Sequence, residues 1–190
     1  MTPDQIAPRL RLVEPARTPI TPLAPLDPRD LDALYRRYAA YVAAVATRLL
    51  GRDAEVDDLV QDVFIQALRG VSQLREPAAV KGWLAKVTVR LAVRRLRKRR
   101  MLQALHMSDG HNDYQQLAAA GASPEQRAVL AKVYHVLDTL PASTRVIWLL
   151  RHALGEPLQA VGELSGCSQS TVQRRLRDAE SVLAKELSHD

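Results

Sequence analysis

The most specific local pattern in this chain is the stretch Leu158–Leu187, which reads LQAVGELSGCSQSTVQRRLRDAESVLAKEL. Its apolar positions recur at helical spacing in a short first segment and again in a longer second one. Between them, Gly166 can adopt the left-handed backbone conformation and Ser168 can cap a following helix. A short helix, a glycine turn, a polar cap and a longer helix together predict a helix-turn-helix.

The second of these helices presents side chains that can bind DNA from its first turns. Gln and Arg can read base edges in the major groove, and Ser and Thr suit phosphates and bases alike. The candidate DNA-binding residues are Ser168, Gln169, Ser170, Thr171, Gln173, Arg174 and Arg175. The alternative is a plain helical hairpin inside a bundle, which has the same apolar pattern.

A second signal is the distribution of charge. The chain has 190 residues and a formal net charge of +6, yet residues 29–100 alone carry 16 basic and 8 acidic residues. The segment Lys81–Arg100 holds nine basic residues and no acidic one, with six of them between Arg94 and Arg100. A phosphate backbone would relieve the repulsion among these charges. A basic helix terminus or a nuclear-localisation segment are the alternatives.

An acidic segment precedes the basic one. Five acidic residues and no basic residue lie between Asp53 and Asp62. Asp58, Gln61 and Asp62 have i, i+3 and i+4 spacing, so they share one side of a helix. This face favours a protein partner with a basic surface, although a merely solvated acidic face fits the same pattern.

Other chemistry finds little support in the sequence. The only cysteine, Cys167, excludes an internal disulfide framework and a cysteine-built zinc site. The histidines lack metal-ligand spacing, and neither a phosphate loop nor a nucleophile motif is present. We therefore predict no catalytic residue, no metal and no cofactor. Because no apolar run is long enough for a membrane span or a signal peptide, we predict a cytoplasmic protein without membrane insertion.

The pattern of apolar residues and helix breakers predicts an all-α fold with two small helical domains joined by a flexible linker. Residues 1–28 hold seven of the eleven prolines and form a tail, residues 29–100 form the first domain, residues 101–123 the linker, and residues 124–190 the second domain. Asp27 with Pro28, and Asp53, are expected to begin the first two helices. Ser123 and Gln126 have the spacing of a capping box.

Taken together, these segments resemble the extracytoplasmic-function (ECF) group of bacterial RNA polymerase sigma factors. Asp57–Phe64 is similar to their polymerase-binding motif, and Val80–Arg100 to their promoter-melting helix. Leu140–Leu187 is similar to their promoter-reading domain. The match departs from the family at Val87–Leu91, within the segment assigned to the −10 element, and at Gly162, where a glycine within a helix costs about 0.5–1 kcal/mol relative to alanine.

The resemblance implies a non-enzymatic initiation factor that binds core RNA polymerase and promoter DNA. It implies polymerase contacts by Asp58, Leu59, Gln61 and Asp62, and −35 contacts by Ser168–Arg175. It assigns the −10 element and the DNA backbone to Lys81, Lys86, Arg90, Arg94, Arg95, Arg97 and Lys98. Many members of the group are held by an anti-sigma factor, which is therefore a candidate partner. An autonomous helix-turn-helix repressor or activator, and a helical adaptor that binds no DNA, remain the alternatives.

Overall fold

The computed structural model describes residues 30–51, 55–70, 79–105, 114–118 and 122–188. These residues form seven α-helices and one short 3₁₀ turn, which confirms the all-α fold. The helices are α1 (Leu31–Leu50), α2 (Val56–Gly70), α3 (Val80–Ala104), α4 (Pro124–Thr139), α5 (Ala142–His152), α6 (Leu158–Ser165) and α7 (Gln169–Leu187), with the 3₁₀ turn at Tyr114–Leu117.

Helices α1, α2 and α3 pack against one another as a three-helix bundle. Helix α1 begins at Leu31 because the Asp30 carboxylate accepts a hydrogen bond from the Ala33 amide at 3.0 Å. The helix therefore starts three residues later than Asp27 and Pro28 predicted, and these two residues, like Asp53, lie outside the described part of the chain. Apolar side chains at helical spacing fill the bundle core, among them Leu34, Val42, Leu49, Leu59, Val63, Leu84 and Leu91.

Helix α3 continues beyond its predicted end at Arg100. Met101 to Ala104 remain helical because all four residues are compatible with a helix and no glycine or proline interrupts them. The 3₁₀ turn at Tyr114–Leu117 packs on α4, and the Tyr114 side chain is fully buried. Within the predicted linker, residues 101–104 thus belong to α3 and residues 114–117 form the 3₁₀ turn. The domain boundary itself stays a prediction.

Helices α4 to α7 form a second group, in which α7 packs against α4, α5 and α6. The predicted capping box is confirmed, because the Ser123 hydroxyl accepts from the Gln126 amide and the Gln126 side chain accepts from the Ser123 amide. Trp148 of α5 is fully buried in this group.

The two groups meet at the C-terminal end of α1. The last carbonyl groups of a helix have no partner within it and need donors from elsewhere. Here the Tyr134 hydroxyl donates to the Arg48 carbonyl at 2.8 Å, and the Arg145 guanidinium donates to the Leu50 carbonyl at 3.0 Å. Arg99 of α3 donates to the same Leu50 oxygen at 3.0 Å.

Four side chains that follow the gap after α3 surround this helix end, and we call them the clasp: Tyr114, Tyr134, Asp138 and Arg145. Asp138 binds both the Arg145 guanidinium and the Tyr114 hydroxyl. The two tyrosine rings stack with their centroids 5.1 Å apart, and the Arg145 guanidinium carbon lies 5.5 Å from the Tyr134 ring centre. Burial raises the pKa of the Tyr134 hydroxyl, so this group stays a neutral donor.

Gly51 makes this close approach possible. Its backbone has φ +72°, and a β-carbon at this position would lie 2.6 Å from Tyr114 Cε1 and 3.0 Å from Tyr134 Cδ1. Glycine has no β-carbon, so the clasp packs directly on the backbone that ends α1.

The capping box generates a stability prediction. Ser123→Ala removes the side-chain acceptor of the Gln126 amide, so we expect a loss of about 1 kcal/mol in the free energy of unfolding. Urea denaturation measures the change. Ser181→Ala, at an exposed position inside α7, is the control and should change stability by less than about 0.5 kcal/mol. Equal losses in the two variants would contradict a capping role.

Candidate nucleic-acid and protein interfaces

The predicted helix-turn-helix elements are present in α6 and α7. Gly166 ends α6 in the left-handed conformation with φ +66°. The Cys167 amide then donates to the Gly162 carbonyl at 3.0 Å, which closes the turn. The Ser168 hydroxyl accepts from the Thr171 amide at 3.3 Å and so caps α7 as predicted.

Gly162 has a geometric role in this turn. A β-carbon at this position would lie 3.0 Å from the Cys167 carbonyl oxygen, which is tighter than ordinary contacts. The glycine that weakens α6 by its low helix propensity thus lets the chain fold back closely onto the helix.

The first turns of α7 expose most of the predicted DNA-binding side chains. Ser168, Gln169, Ser170, Gln173 and Arg174 are exposed, whereas Val172 and Leu176 face the core. Thr171 and Arg175 are half-buried, and Arg175 Nη1 lies 3.3 Å from the Cys167 sulfur. The Ser168 hydroxyl is committed to the cap, and the Ser170 hydroxyl lies 3.1 Å from it within hydrogen-bond distance. Gln169, Gln173 and Arg174 are therefore the exposed side chains best placed to meet a ligand.

The basic run on α3 divides into exposed and internally bound residues. Lys81, Lys86, Arg90, Arg94, Arg97 and Lys98 are exposed. Of these, Arg90 also donates to the Gln66 side chain of α2 at 2.7 Å. Arg95, by contrast, donates to the Asp62 carboxylate at 2.6 Å and to the Glu55 carbonyl at 3.0 Å. Arg99 is 7% exposed and bound to Leu50, and burial, followed by the Arg145 charge, lowers its pKa. Arg95 and Arg99 therefore link helices rather than face outward.

Four of the exposed cations form one line along α3, and we call them the basic stripe: Lys86, Arg90, Arg94 and Arg97. Their spacing places them on one helix face, and Trp83 lies at the start of the same face. Together with Val87, Val89 and Val93 they line a cleft of about 660 Å³. The other wall of the cleft is formed by Glu163, Leu164, Ser165 and Gly166 at the end of α6.

The acidic face of α2 carries the predicted polar residues, with one correction. Asp58 and Gln61 are exposed, and Asp62 is half-exposed beside Arg95. Leu59 has no exposed surface, because it lies one residue further around the helix and packs in the bundle core. The prediction that Leu59 contacts a partner is therefore wrong for this conformation.

Three apolar side chains that the sequence reasoning missed extend this face. Ile65 and Leu68 are 40% and 57% exposed, and they continue the line of Gln61 at helical spacing. Tyr35 of α1 is 49% exposed and packs edge-on against Phe64 with 4.9 Å between ring centres. The helical spacing of the apolar residues predicts buried positions for Tyr35 and Leu68, so their exposure corrects that prediction. Exposed apolar groups beside polar ones are typical of a protein-binding surface.

Two other kinds of site receive no support from the described helices and turns. Among these residues, no three His, Cys, Asp or Glu side chains lie together as metal ligands do. None of the described helices combines the length and the apolar character that crossing a membrane requires.

Comparison with known proteins identifies the first bundle. Residues 34–101 match the family model of sigma-70 region 2. The chain is 31% identical over 154 residues to RfaY of Xanthomonas campestris, a probable RNA polymerase sigma factor, and 29% identical over 143 residues to the ECF RNA polymerase sigma factor SigE of Mycolicibacterium smegmatis. These matches cover 76% and 73% of this chain but only 37% and 54% of the two relatives.

The fold is also similar to that of a solved structure. The sigma factor RpoE of Bartonella quintana, crystallised with the anti-sigma factor NepR, superposes with a TM-score of 0.62 at 22% identity. The superposition covers 85% of this chain and 99% of RpoE. At this level of identity the likeness concerns the fold, and it extends over both helical groups.

Because some arginines of α3 bind other helices and others are exposed, alanine substitutions at the two kinds of position should change the free energy of unfolding by different amounts. Arg95→Ala removes two hydrogen bonds that join α3 to Asp62 in α2 and to the Glu55 carbonyl just before α2, so we expect a loss of about 1 kcal/mol, moderated by the partial exposure of the pair. Thermal denaturation measures it. Arg94→Ala, at the exposed neighbouring position, should change stability by less than about 0.5 kcal/mol. If both variants were as stable as the wild type, Arg95 would not have a linking role.

Proposed function

Because the chain belongs to the extracytoplasmic-function (ECF) group of bacterial RNA polymerase sigma factors, we propose that it binds core RNA polymerase and directs that enzyme to promoter DNA. The observation that supports this most is the separation of three surfaces with different chemistry on three helices. The exposed first turns of α7 and the basic stripe of α3 suit nucleic acid, whereas the acidic and apolar face of α2 suits a protein.

The polymerase is proposed to bind the outer face of α2. Asp58, Gln61 and Asp62 supply charge and hydrogen-bonding groups, and the exposed Ile65 and Leu68 add apolar area to the same face. Charged groups steer the approach of a partner, while desolvated apolar groups supply much of the affinity. Asp62 also holds Arg95, so it fixes α3 relative to this face.

Promoter DNA is proposed to contact two elements. Helix α7 would enter the major groove of the −35 element, where Gln169, Gln173 and Arg174 can reach base edges. The basic stripe and Trp83 would hold the −10 region, with the arginines on phosphates and the indole beside an unpaired base. Opening DNA costs roughly 1.4 kcal/mol per base-pair step, which a protein offsets by binding the displaced strand.

The proposal has consequences for the rest of the function. A sigma factor selects the promoter while the polymerase performs the chemistry, so this chain would have no catalytic activity of its own. It would act in the cytoplasm, where the polymerase and the chromosome are. The likeness to RpoE, a sigma factor bound by NepR, adds an anti-sigma factor as a further proposed partner.

A charge reversal on α2 tests the polymerase surface. The double variant Asp58→Arg with Gln61→Ala replaces an acidic group with a basic one, so we expect at least about a tenfold loss of affinity for core RNA polymerase. Pull-down with core enzyme measures it.

The matched control is Asp178→Arg, which makes the same charge change at an exposed position of α7, away from the outer face of α2. It should bind nearly as the wild type does. Undiminished binding of the double variant, or no binding by the wild type, would count against the proposal.

Substitution of Arg174 tests the reading of bases by α7. Arg174→Ala should weaken discrimination among −35 sequences by about 1–3 kcal/mol, the cost of one bidentate base contact. Arg174→Lys keeps the charge but loses the bidentate geometry, so it should retain affinity and still lose discrimination. Transcription from a promoter library with the assembled polymerase provides the readout. If both variants kept the base preference of the wild type, Arg174 would not be a base-reading residue. If the wild-type protein bound DNA tightly and sequence-specifically without polymerase, an autonomous regulator would be favoured instead.

A further inference from the structure

Helix α2 carries a second row of residues beside its outer face, and this row is in contact with α3. Its three members have i, i+4 and i+8 spacing, so they lie along one side of the helix. We call them the inner row: Asp62, Gln66 and Gly70. Asp62 holds Arg95, which links the two helices and is not part of the basic stripe. The other two members contact residues that the proposed function assigns to promoter DNA.

Gln66 orients a cation without cancelling its charge. Its half-buried side chain accepts a hydrogen bond from Arg90 Nη2 at 2.7 Å, and within the described ranges this is the one hydrogen bond that the Arg90 side chain makes. The amide is neutral, so the guanidinium keeps its charge and its remaining N–H groups for another acceptor. One turn earlier, the Asp62 carboxylate instead offsets the charge of Arg95. An acid thus holds the arginine that stabilises the bundle, and an amide holds the arginine that lines the cleft.

Gly70 determines where the indole of Trp83 lies. A β-carbon at Gly70 would lie 2.8 Å from Trp83 Cζ2 and 3.3 Å from Trp83 Cη2. Because glycine has no β-carbon, the ring packs directly on the backbone of α2. The indole is half-buried there, and it also lines the cleft beside the basic stripe. The last residue of α2 therefore sets how far this ring projects into the cleft.

We propose that Gln66 and Gly70 are positioning residues for promoter opening. Gln66 orients the Arg90 guanidinium toward the DNA backbone, and Gly70 fixes the Trp83 indole where it can stack on an unpaired base. This inference rests on the proposed function, because it concerns the surface assigned there to the −10 region. Neither positioning residue touches DNA. They hold two side chains of α3 in place beforehand, so that binding of the displaced strand does not have to order them.

Gly70→Ala tests the position of the indole, and Gly82→Ala is its matched control. Both glycines are helical residues, and nothing lies within 4 Å of the β-carbon position of Gly82. The readout is the tryptophan emission of the full chain without polymerase, in which the fully buried Trp148 contributes equally to every variant. We expect Gly70→Ala to shift the emission maximum, because the ring must move, and Gly82→Ala to match the wild type. Unchanged emission in Gly70→Ala overturns the proposal.

Transcription by the assembled polymerase tests the consequence for DNA opening. Each variant is assayed on a duplex promoter and on the same promoter with its −10 region already unpaired, and the ratio of the two activities is the readout. An indole that no longer stacks on a base does not offset the cost of opening, which the unpaired template avoids. We expect Gly70→Ala to lower the duplex-to-unpaired ratio at least about fivefold, the smallest factor that stacking of one base provides. A variant that is merely less well folded loses both activities together, and such an unchanged ratio overturns the proposal.

Gln66→Glu separates the orientation of Arg90 from support of the fold. A carboxylate keeps the hydrogen bond and strengthens it, so urea denaturation should show no loss of stability. It also offsets the charge that a phosphate needs, so we expect the assembled polymerase to bind the unpaired template about twofold to fivefold more weakly, the range of one exposed ion pair. Gln103→Glu makes the same change at a half-buried position near the other end of α3 and should bind as the wild type does. Equal binding by the two variants overturns the role of Gln66.

Failure of this inference and failure of the proposed function give different results. If the wild-type chain formed no active complex with core RNA polymerase, the proposed function would fail, and the emission measurement would still decide whether Gly70 places the indole. If the wild-type complex transcribes and the substitutions change neither the ratio nor the affinity, only the positioning roles are overturned.

Discussion

Two guanidinium groups, those of Arg99 and Arg145, donate to a single carbonyl oxygen, that of Leu50. The oxygen belongs to the last turn of α1, where the helix dipole places partial negative charge. One arginine comes from the first helical group and the other from the second. The end of one helix therefore holds α3 in its bundle and also joins the bundle to the rest of the protein.

The basic residues of α3 also divide between holding the fold together and facing solvent. Its basic residues are not one uniform surface, because the helix turns successive residues toward different surroundings. Arg95 and Arg99 satisfy acceptors on α1 and α2, while the basic stripe faces the cleft. The two inward arginines stabilise the scaffold that keeps the four outward cations in line. The acidic face of α2 has a similar double use, since Asp62 both faces outward and holds Arg95.

Local signals in the sequence predicted the local structure well. The Ser123 capping box, the left-handed turn at Gly166 and the Ser168 cap depend on neighbouring residues, and each has the predicted geometry. The all-α fold followed from the apolar periodicity. The division of the basic run could not be predicted in the same way, because the acceptors of Arg95 lie 33 and 40 residues earlier in the chain and that of Arg99 lies 49 residues earlier. Periodicity also overlooked Ile65 and placed the exposed Leu68 in the core, since it reports which side of a helix is apolar but not how wide the covered side is. The assignment of the buried Leu59 to a partner contact came from the family resemblance and not from periodicity. Residue roles in binding remain predictions.

Helix α3 has 25 residues and is unbroken, so at about 1.5 Å per residue it is a rod of roughly 37 Å. Its first turn carries Trp83 at the cleft, and Arg99 near its other end touches the last turn of α1. A stiff rod transmits tilt from end to end. Because Arg95 and Arg99 hold the same rod that carries Trp83, the position of the cleft wall depends on hydrogen bonds up to 16 residues away along α3, or roughly 24 Å at about 1.5 Å per residue.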